Sequence, residues 1–210
     1  MKRSLALALA MVISGCAMQQ PQPSMAVYDF GLHRPTANDK VQAFGTSSRK
    51  LEASLVVAEI AAPPWLDGTV IQYRLAYQNP ARSYAYADSR WAAAPAMLLT
   101  QRIRSHMAEI SREGLLSPAD RGLASYLLRL EREEFSHVFD SAAESRGIIR
   151  LRASLIDRRT RSLVAQRSFS IERSAPTADA RGAVHALTEA SDELIVNLTG
   201  WLSGNLPAEG

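Results

Sequence analysis

The stretch Ile149-Arg150-Leu151-Arg152-Ala153-Ser154-Leu155 decides the fold, because apolar and polar side chains alternate along it without a break. Alternation with a period of two is typical of a β-strand that buries one face and exposes the other. Residues 157–161 form a connection of hairpin length, and residues 163–171 provide a returning strand. The sequence therefore predicts an antiparallel hairpin built around this stretch.

Further strands are predicted ahead of this hairpin. Apolar runs at 27–32 and 51–60 and the alternating run 69–75 each favour a strand, and residues 84–86 favour a short edge strand. Another strand begins at 126–130 and continues into a group of three glutamates.

The first of two predicted helices follows Trp91. Asp88 or Ser89 is a suitable N-cap, and Gly114 is placed to end the helix. Its apolar side chains recur at helical spacing, which predicts an amphipathic helix. They are Ala96, Leu99, Ile103, Met107 and Ile110.

The second predicted helix is long and begins after a cap at Thr177 or Asp179. One face carries Val184, Leu187, Ser191, Leu194, Leu198 and Trp201. The element order is strands, helix, strands, helix. It predicts a single α+β domain with an antiparallel or mixed β-sheet and two main amphipathic helices packed on it.

The N-terminus is typical of an exported lipoprotein. Two basic residues precede the apolar run 4–13, and Ser14-Gly15-Cys16 follows. This run is shorter than the roughly 20 residues that span a bilayer. The last residues resemble a bacterial lipobox, which implies lipidation of Cys16 and cleavage before it. The alternative is an ordinary signal peptide that contains a cysteine.

The predicted organisation has four parts. Residues 1–15 are the lipoprotein signal peptide, and 16–26 are the lipidated cysteine and a flexible tether rich in Pro and Gln. Residues 27–204 form the domain, and 205–210 are a C-terminal tail.

Charge and chemistry exclude several function classes. The 24 basic residues include Lys2 and Arg3 of the signal, so 22 remain against 21 acidic residues. A nearly neutral exported chain argues against nucleic-acid binding. Cys16 is the one cysteine, so no internal disulfide forms. The four histidines share no metal-ligand spacing, and no nucleophile or phosphate-loop motif is present. We expect no catalytic residue, no metal and no cofactor beyond the lipid on Cys16.

Many weak motifs, in order, resemble the ABC-type transport auxiliary lipoprotein family over residues 27–202. They include Pro64-Trp65-Leu66-Asp67, Ile71-Gln72-Tyr73-Arg74, Tyr86 five residues before Trp91, Pro95 ahead of a helix, and the closing Trp201-Leu202. Trp65 departs from the Tyr or Phe expected there.

The resemblance implies an accessory role without catalysis. Its known members are outer-membrane lipoproteins of paraquat-inducible and related MCE-type systems, which carry lipid or other hydrophobic cargo between two membranes. The implied partners are an MCE-domain protein and its ABC permease and ATPase. The alternatives are an assembly factor that docks another envelope protein and, less favoured, a lipidated periplasmic hydrolase. The sequence leaves open whether the chain forms a homo-oligomer.

A docking role needs a contact surface, and two segments are candidates. Eight arginines fall within residues 146–173, after a group of acidic residues. They either pair with those acids across the sheet or present a basic face to a partner or to lipid headgroups. The predicted contact residues are Trp65, Leu66, Asp67, Arg158, Arg159 and Arg161.

The N-terminal motif gives a direct prediction. Ala17 follows Cys16, whereas Asp at that place retains lipoproteins in the inner membrane of enteric-type bacteria. We therefore expect residence in the outer membrane with the domain facing the periplasm. Cys16→Ala should remain unlipidated, unprocessed by the lipoprotein signal peptidase and mislocalised, as judged by metabolic lipid labelling and membrane fractionation. Normal processing of that variant would disprove the lipobox.

Overall fold

A sheet of eight strands and two helices makes up the part of the chain that the structure describes. The structure is a computed structural model that describes residues 24–31, 51, 53–111, 115–116 and 124–206. The strands are β1 (Ala26–Tyr28), β2 (Leu55–Val57), β3 (Val70–Leu75), β4 (Ser83–Trp91), β5 (Leu115–Leu116), β6 (Tyr126–Phe139), β7 (Ser145–Asp157) and β8 (Ser162–Ser174). The helices are α1 (Pro95–Ile110) and α2 (Ala180–Asn205).

Strand β6 is the centre of the sheet. One of its edges pairs with β7 over nearly its whole length, and β7 pairs in turn with β8, both antiparallel. The other edge is shared, because β2 pairs with the beginning of β6 and β3 with its end, both parallel. β4 extends the sheet beyond β3, and β1 lies beyond β4. The sheet is mixed, which confirms the predicted α+β class.

The predicted antiparallel hairpin is confirmed as β7 and β8, and both strands are longer than predicted. Ile149, Leu151, Ala153 and Leu155 are buried, whereas Arg150 and Arg152 are exposed. The predicted strand at 126–130 likewise continues through the three glutamates to Phe139. Those glutamates remain in a strand because they point away from the helices, and Glu131 and Glu133 meet Arg152 across the ladder.

Both helices cover one face of the sheet, called here the helix face. α2 packs on β6, β7 and β8, and a backbone contact at Gly147 brings it close. A Cβ at that position would lie 2.9 Å from the Leu187 backbone nitrogen, so only glycine fits without displacement. α1 is joined to α2 by an ion pair of 2.6 Å between Arg102 and Asp192.

The predicted cap of the first helix is wrong. Asp88 and Ser89 lie inside β4, whose pairing with β1 and β3 extends the strand to Trp91. The helix begins at Pro95, which needs no partner for a backbone N–H, and Ala94 makes no side-chain cap. It ends at Ile110, where Ser111 turns to an extended conformation. Gly114 lies outside the described residues.

Two predicted strands are shorter than expected. The run 51–60 yields only β2, flanked by isolated bridges at Leu51 and Ala61. β1 ends at Tyr28 because the Gly31 N–H donates to the Asp29 carboxylate at 2.7 Å, and Gly31 adopts φ 68°. The turn that results cannot continue a ladder.

The predicted start of the second helix is confirmed at Asp179. Its carboxylate accepts from the Gly182 N–H at 2.8 Å, and Thr177 donates its hydroxyl to the same carboxylate. Most of the predicted face is buried, while Val184 and Trp201 are half-buried. Trp201 packs edge-on against Phe169 of β8, with ring centroids 6.1 Å apart.

The packing of α2 predicts a ranking of stabilities. Leu187 and Leu194 are fully buried, so replacement of either by Ala should lower the free energy of unfolding by about 2–5 kcal/mol. Glu189 is exposed on the same helix and serves as the control, with a change within about 0.5 kcal/mol for Glu189→Ala. Chemical denaturation measures all three. A larger loss for Glu189→Ala would contradict the helix orientation.

Candidate docking surfaces

The first predicted contact segment is a tight turn at residues 63–68. The Leu66 N–H donates to the Pro63 carbonyl at 2.8 Å, and the Asp67 N–H donates to the Pro64 carbonyl at 3.3 Å. The turn presents Trp65 to solvent with 77% of its surface exposed. An exposed indole of this size is a strong candidate for contact with another molecule.

The buried side chain of Arg132 fixes the position of this turn. This role of Arg132 was not predicted from the sequence. Its guanidinium donates to the Leu66 carbonyl, and its side chain is only 3% exposed. Burial lowers the pKa of Arg132, while the Asp67 and Glu134 carboxylates raise it. The sequence contains one signal for it. Arg132 follows Leu128 and Leu130 at a spacing of two, which places its charged side chain on the face of the strand that should be buried.

The second predicted segment is the turn between β7 and β8. Asp157 organises it, because its carboxylate accepts from the backbone N–H groups of Thr160 and Arg159 at 2.9 and 2.8 Å. These hydrogen bonds lower the pKa of Asp157. Arg161 adopts φ 57°, the left-handed conformation that reverses the chain. Arg158, Arg159 and Arg161 are all exposed.

The two segments do not form one surface. Leu66 lies beside Arg132, which pairs with Leu151, whereas the β7–β8 turn follows Asp157, which pairs with Tyr126. The six residues from Leu151 to Asp157 span about 20 Å at about 3.3 Å per residue. A partner would meet them as separate contacts.

The arginine-rich strands divide into two groups. Three of those within the ladders meet acids. Arg146 pairs with Glu172 at 3.2 Å and Arg152 with Glu133 at 2.5 Å across the sheet, as one alternative predicted, and Arg173 pairs with Glu193 of α2 at 2.5 Å. Between described residues, no ion pair involves Arg158, Arg159 or Arg161. The turn therefore presents three exposed arginines to a partner.

The remaining candidate residues serve packing. Trp91 is buried in the core against Phe30 and Phe135. His185 and Glu189 lie 3.6 Å apart as an exposed pair on α2. Over the residues that the structure describes, no group of three His, Cys, Asp or Glu side chains is arranged to hold a metal ion. Cys16, Ala17 and His33 lie outside those residues.

A buried histidine lies on the helix face near the start of α2. His137 is fully buried, and its Nδ1 lies 2.9 Å from the Tyr86 hydroxyl. Burial lowers the pKa of His137 to about 4, although the Asp179 carboxylate opposes the shift. Burial also raises the pKa of Tyr86. Both groups are therefore neutral in the folded protein at neutral pH, and tyrosines 73 and 84 extend the aromatic cluster.

A shallow open pocket of about 250 Å³ lies where the end of β1 meets α1. Arg102 lines it and is already engaged with Asp192 and the Phe30 carbonyl. The pocket is open to solvent and mixes polar with apolar walls. None of the helices among the described residues combines the length and apolar character that crossing a membrane requires.

Comparison with known proteins identifies the family. The family model for the ABC-type transport auxiliary lipoprotein component matches residues 36–198. The chain belongs to this family. The auxiliary lipoproteins are not a known enzyme family, and their name fits a protein attached to a membrane and associated with an ABC transport system. No curated protein matches the sequence at a significant level.

Solved structures share the fold of this auxiliary lipoprotein. The protein XCC0632 from Xanthomonas campestris, of the DUF330 family model, superposes with a TM-score of 0.71 at 18% identity, covering 86% of this chain and 96% of its own. The hypothetical protein CT253 from Chlamydia trachomatis gives 0.52 at 11% identity, covering 75% and 99%. An uncharacterised protein gives 0.60 at 14% identity, covering 85% and 99%.

The buried histidine predicts how stability depends on pH. The pKa of His137 is about 4 in the folded state against about 6.5 when unfolded, so the unfolded chain binds the proton more tightly. Stability should be complete above about pH 6.5 and fall as the pH drops toward 4, by up to roughly 3 kcal/mol. Denaturation at several pH values measures the slope.

Two variants check the origin of that slope. His137→Phe keeps an aromatic ring without a titrating group and should flatten the dependence between pH 4 and 6.5, whatever its absolute stability. His185→Gln removes an exposed imidazole and should keep the wild-type slope. An unchanged slope in His137→Phe would assign the acid sensitivity to another group.

Proposed function

We propose that this auxiliary lipoprotein is a non-enzymatic docking component of an MCE-type system that moves lipid or other hydrophobic molecules between the inner and outer membranes. In this role the lipid on Cys16 holds the domain on the periplasmic face of the outer membrane. The partner is the MCE-domain protein together with its ABC permease and ATPase. Membership in the auxiliary lipoprotein family is the observation that carries the proposal.

The packing of the domain favours docking over carrying cargo. The apolar faces of α1 and α2 are directed into one continuous core with the helix face of the sheet, where Leu99, Met107, Leu187 and Leu194 are fully buried. A lipid carrier needs an enclosed apolar cavity of several hundred Å³. The core-facing apolar side chains of both helices are already used in stabilising this fold.

Two surfaces are available for the partner in this proposal. The turn at residues 63–68 offers Trp65 with Leu66 and Asp67, and Arg132 fixes its position. The β7–β8 turn offers Arg158, Arg159 and Arg161. The docking of a different envelope protein, which would make the chain an assembly factor, uses the same surfaces and is the second candidate.

A capture experiment tests the proposal. Residues 17–210 without Cys16, expressed in the periplasm and purified without detergent, should contain no stoichiometric phospholipid by mass spectrometry. The immobilised domain should retain the cognate MCE-domain protein. One phospholipid per chain with no retention of that protein would overturn docking in favour of a carrier. Retention of a different envelope protein in its place would favour the assembly factor.

A matched pair of variants tests the Trp65 contact. Trp65→Ala removes the exposed indole and should weaken retention about tenfold, an effect of about 1.4 kcal/mol. Met97→Ala removes a comparably exposed apolar side chain from α1 and should leave retention unchanged. Equal effects of the two variants would exclude Trp65 as a specific contact.

A further inference from the structure

The tip of the β7–β8 hairpin combines exposed arginines with exposed apolar side chains. We define the tip as residues 158–164. Its three arginines are exposed, and Leu163 and Val164 at the start of β8 are 57% and 44% exposed. Val164 is the extra residue of a β-bulge, because Ile156 pairs with Leu163 and Leu155 with Ala165, so both exposed apolar side chains directly follow the cations of the turn. Such a surface suits a partner that supplies both negative charge and apolar contact.

Hydrogen bonds order the turn that carries the arginines of the tip. Asp157 at its base accepts two backbone hydrogen bonds from within the turn, so the arginines extend beyond it. The hydroxyls of Thr160 and Ser162 lie 2.8 Å apart, and Arg158 donates to the Ala124 carbonyl at 3.1 Å. A turn ordered in advance loses less entropy on binding than a disordered loop would.

The tip also lies far from the point where the tether enters the domain. Tyr126 of β6 pairs with Asp157 and lies at the base of the tip. The pairings of β1 with β4, of β4 with β3 and of β3 with β6 place Ala26 level with a point on β6 about nine residues beyond Tyr126. This separation is about 30 Å at about 3.3 Å per residue. Because β1 runs toward the tip, Ser24 and Met25 precede it on the side away from the tip.

We propose that the tip is a docking site for an acidic segment of a protein partner that also carries apolar side chains. This inference rests on the proposed function, in which an envelope protein docks on the domain. The described chain enters β1 from Ser24, at the end of the sheet away from the tip, so we assign the tip to a protein in the periplasm. Contact with anionic lipid headgroups is the outcome that the experiment below tests against. Bidentate pairing of guanidinium with carboxylate supplies the recognition, and Leu163 and Val164 bury apolar surface beside it.

Site-specific photo-crosslinking in cells tests this assignment on the full-length chain. A photoreactive phenylalanine replaces Leu163 at the tip or, as the control, Val196, which is 62% exposed on α2. The Leu163 probe should react with a protein, and mass spectrometry should place the crosslink in an acidic segment. The Val196 probe should not yield that product. Reaction of the Leu163 probe with phospholipid, or no adduct at all, would overturn the inference.

Charge variants test whether the arginines recognise the partner. Arg159→Glu with Arg161→Glu should reduce the Leu163 crosslink about tenfold or more. Arg159→Ala with Arg161→Gly removes both charges, keeps the left-handed turn and should give a smaller reduction. The matched control is Arg90→Glu with Arg181→Glu, two exposed arginines away from the tip, and it should retain the crosslink. Equal loss in both reversed pairs, or none in either, would refute charge recognition.

The identity of the crosslinked protein separates this inference from the proposed function. A crosslink to an acidic segment of the MCE-domain protein supports both the tip as a docking site and the proposed function. An acidic segment of another envelope protein supports the tip and rejects the MCE assignment. Retention of the MCE-domain protein without any Leu163 crosslink leaves the proposed function standing and overturns the tip as its docking site.

Discussion

The fold depends on pairing the backbone hydrogen-bonding groups along both edges of β6. One edge is paired by β7 along nearly its full length, but the other is shared by two short parallel strands that leave a gap between them. Arg132 lies at this gap and donates to the chain that crosses it, which orders the turn carrying Trp65. A buried cation there is tolerated because the Leu66 carbonyl and the nearby Asp67 carboxylate compensate its desolvation. The exposed indole is thus a consequence of how the central strand is completed.

Sequence patterns predicted the elements whose determinants are local. The alternation over residues 149–155 and the Asp179 cap depend on neighbours a few positions away, and both are confirmed. Asp88 failed as a cap because the ladder to β1 and β3 extends β4 through it. Arg132 and His137 were missed because their partners lie 66 and 51 residues away. The contact residues were chosen from exposed chemistry, and only the sheet register shows that they form two sites.

The charges of the domain separate by role. Arg146, Arg152 and Arg173 inside the ladders meet carboxylates of neighbouring strands or of α2. Exposed pairs of this kind contribute little to stability, about 0–1 kcal/mol each. The arginines at the end of the hairpin have no such partners among the described residues. Three exposed arginines within four residues form a local positive patch at this turn, a distribution suited to guiding a partner into a defined orientation.

The geometry of β1 has a mechanical consequence. This strand is only three residues long, yet it runs along the sheet and its chain entry lies opposite the β7–β8 turn. Tension between a membrane anchor and a protein held at that turn would act nearly parallel to the strands. It would load the inter-strand hydrogen bonds in shear, so that several must break together, whereas a perpendicular pull would unzip them one by one. In the proposed docking role, this alignment would increase the resistance of the domain to extraction.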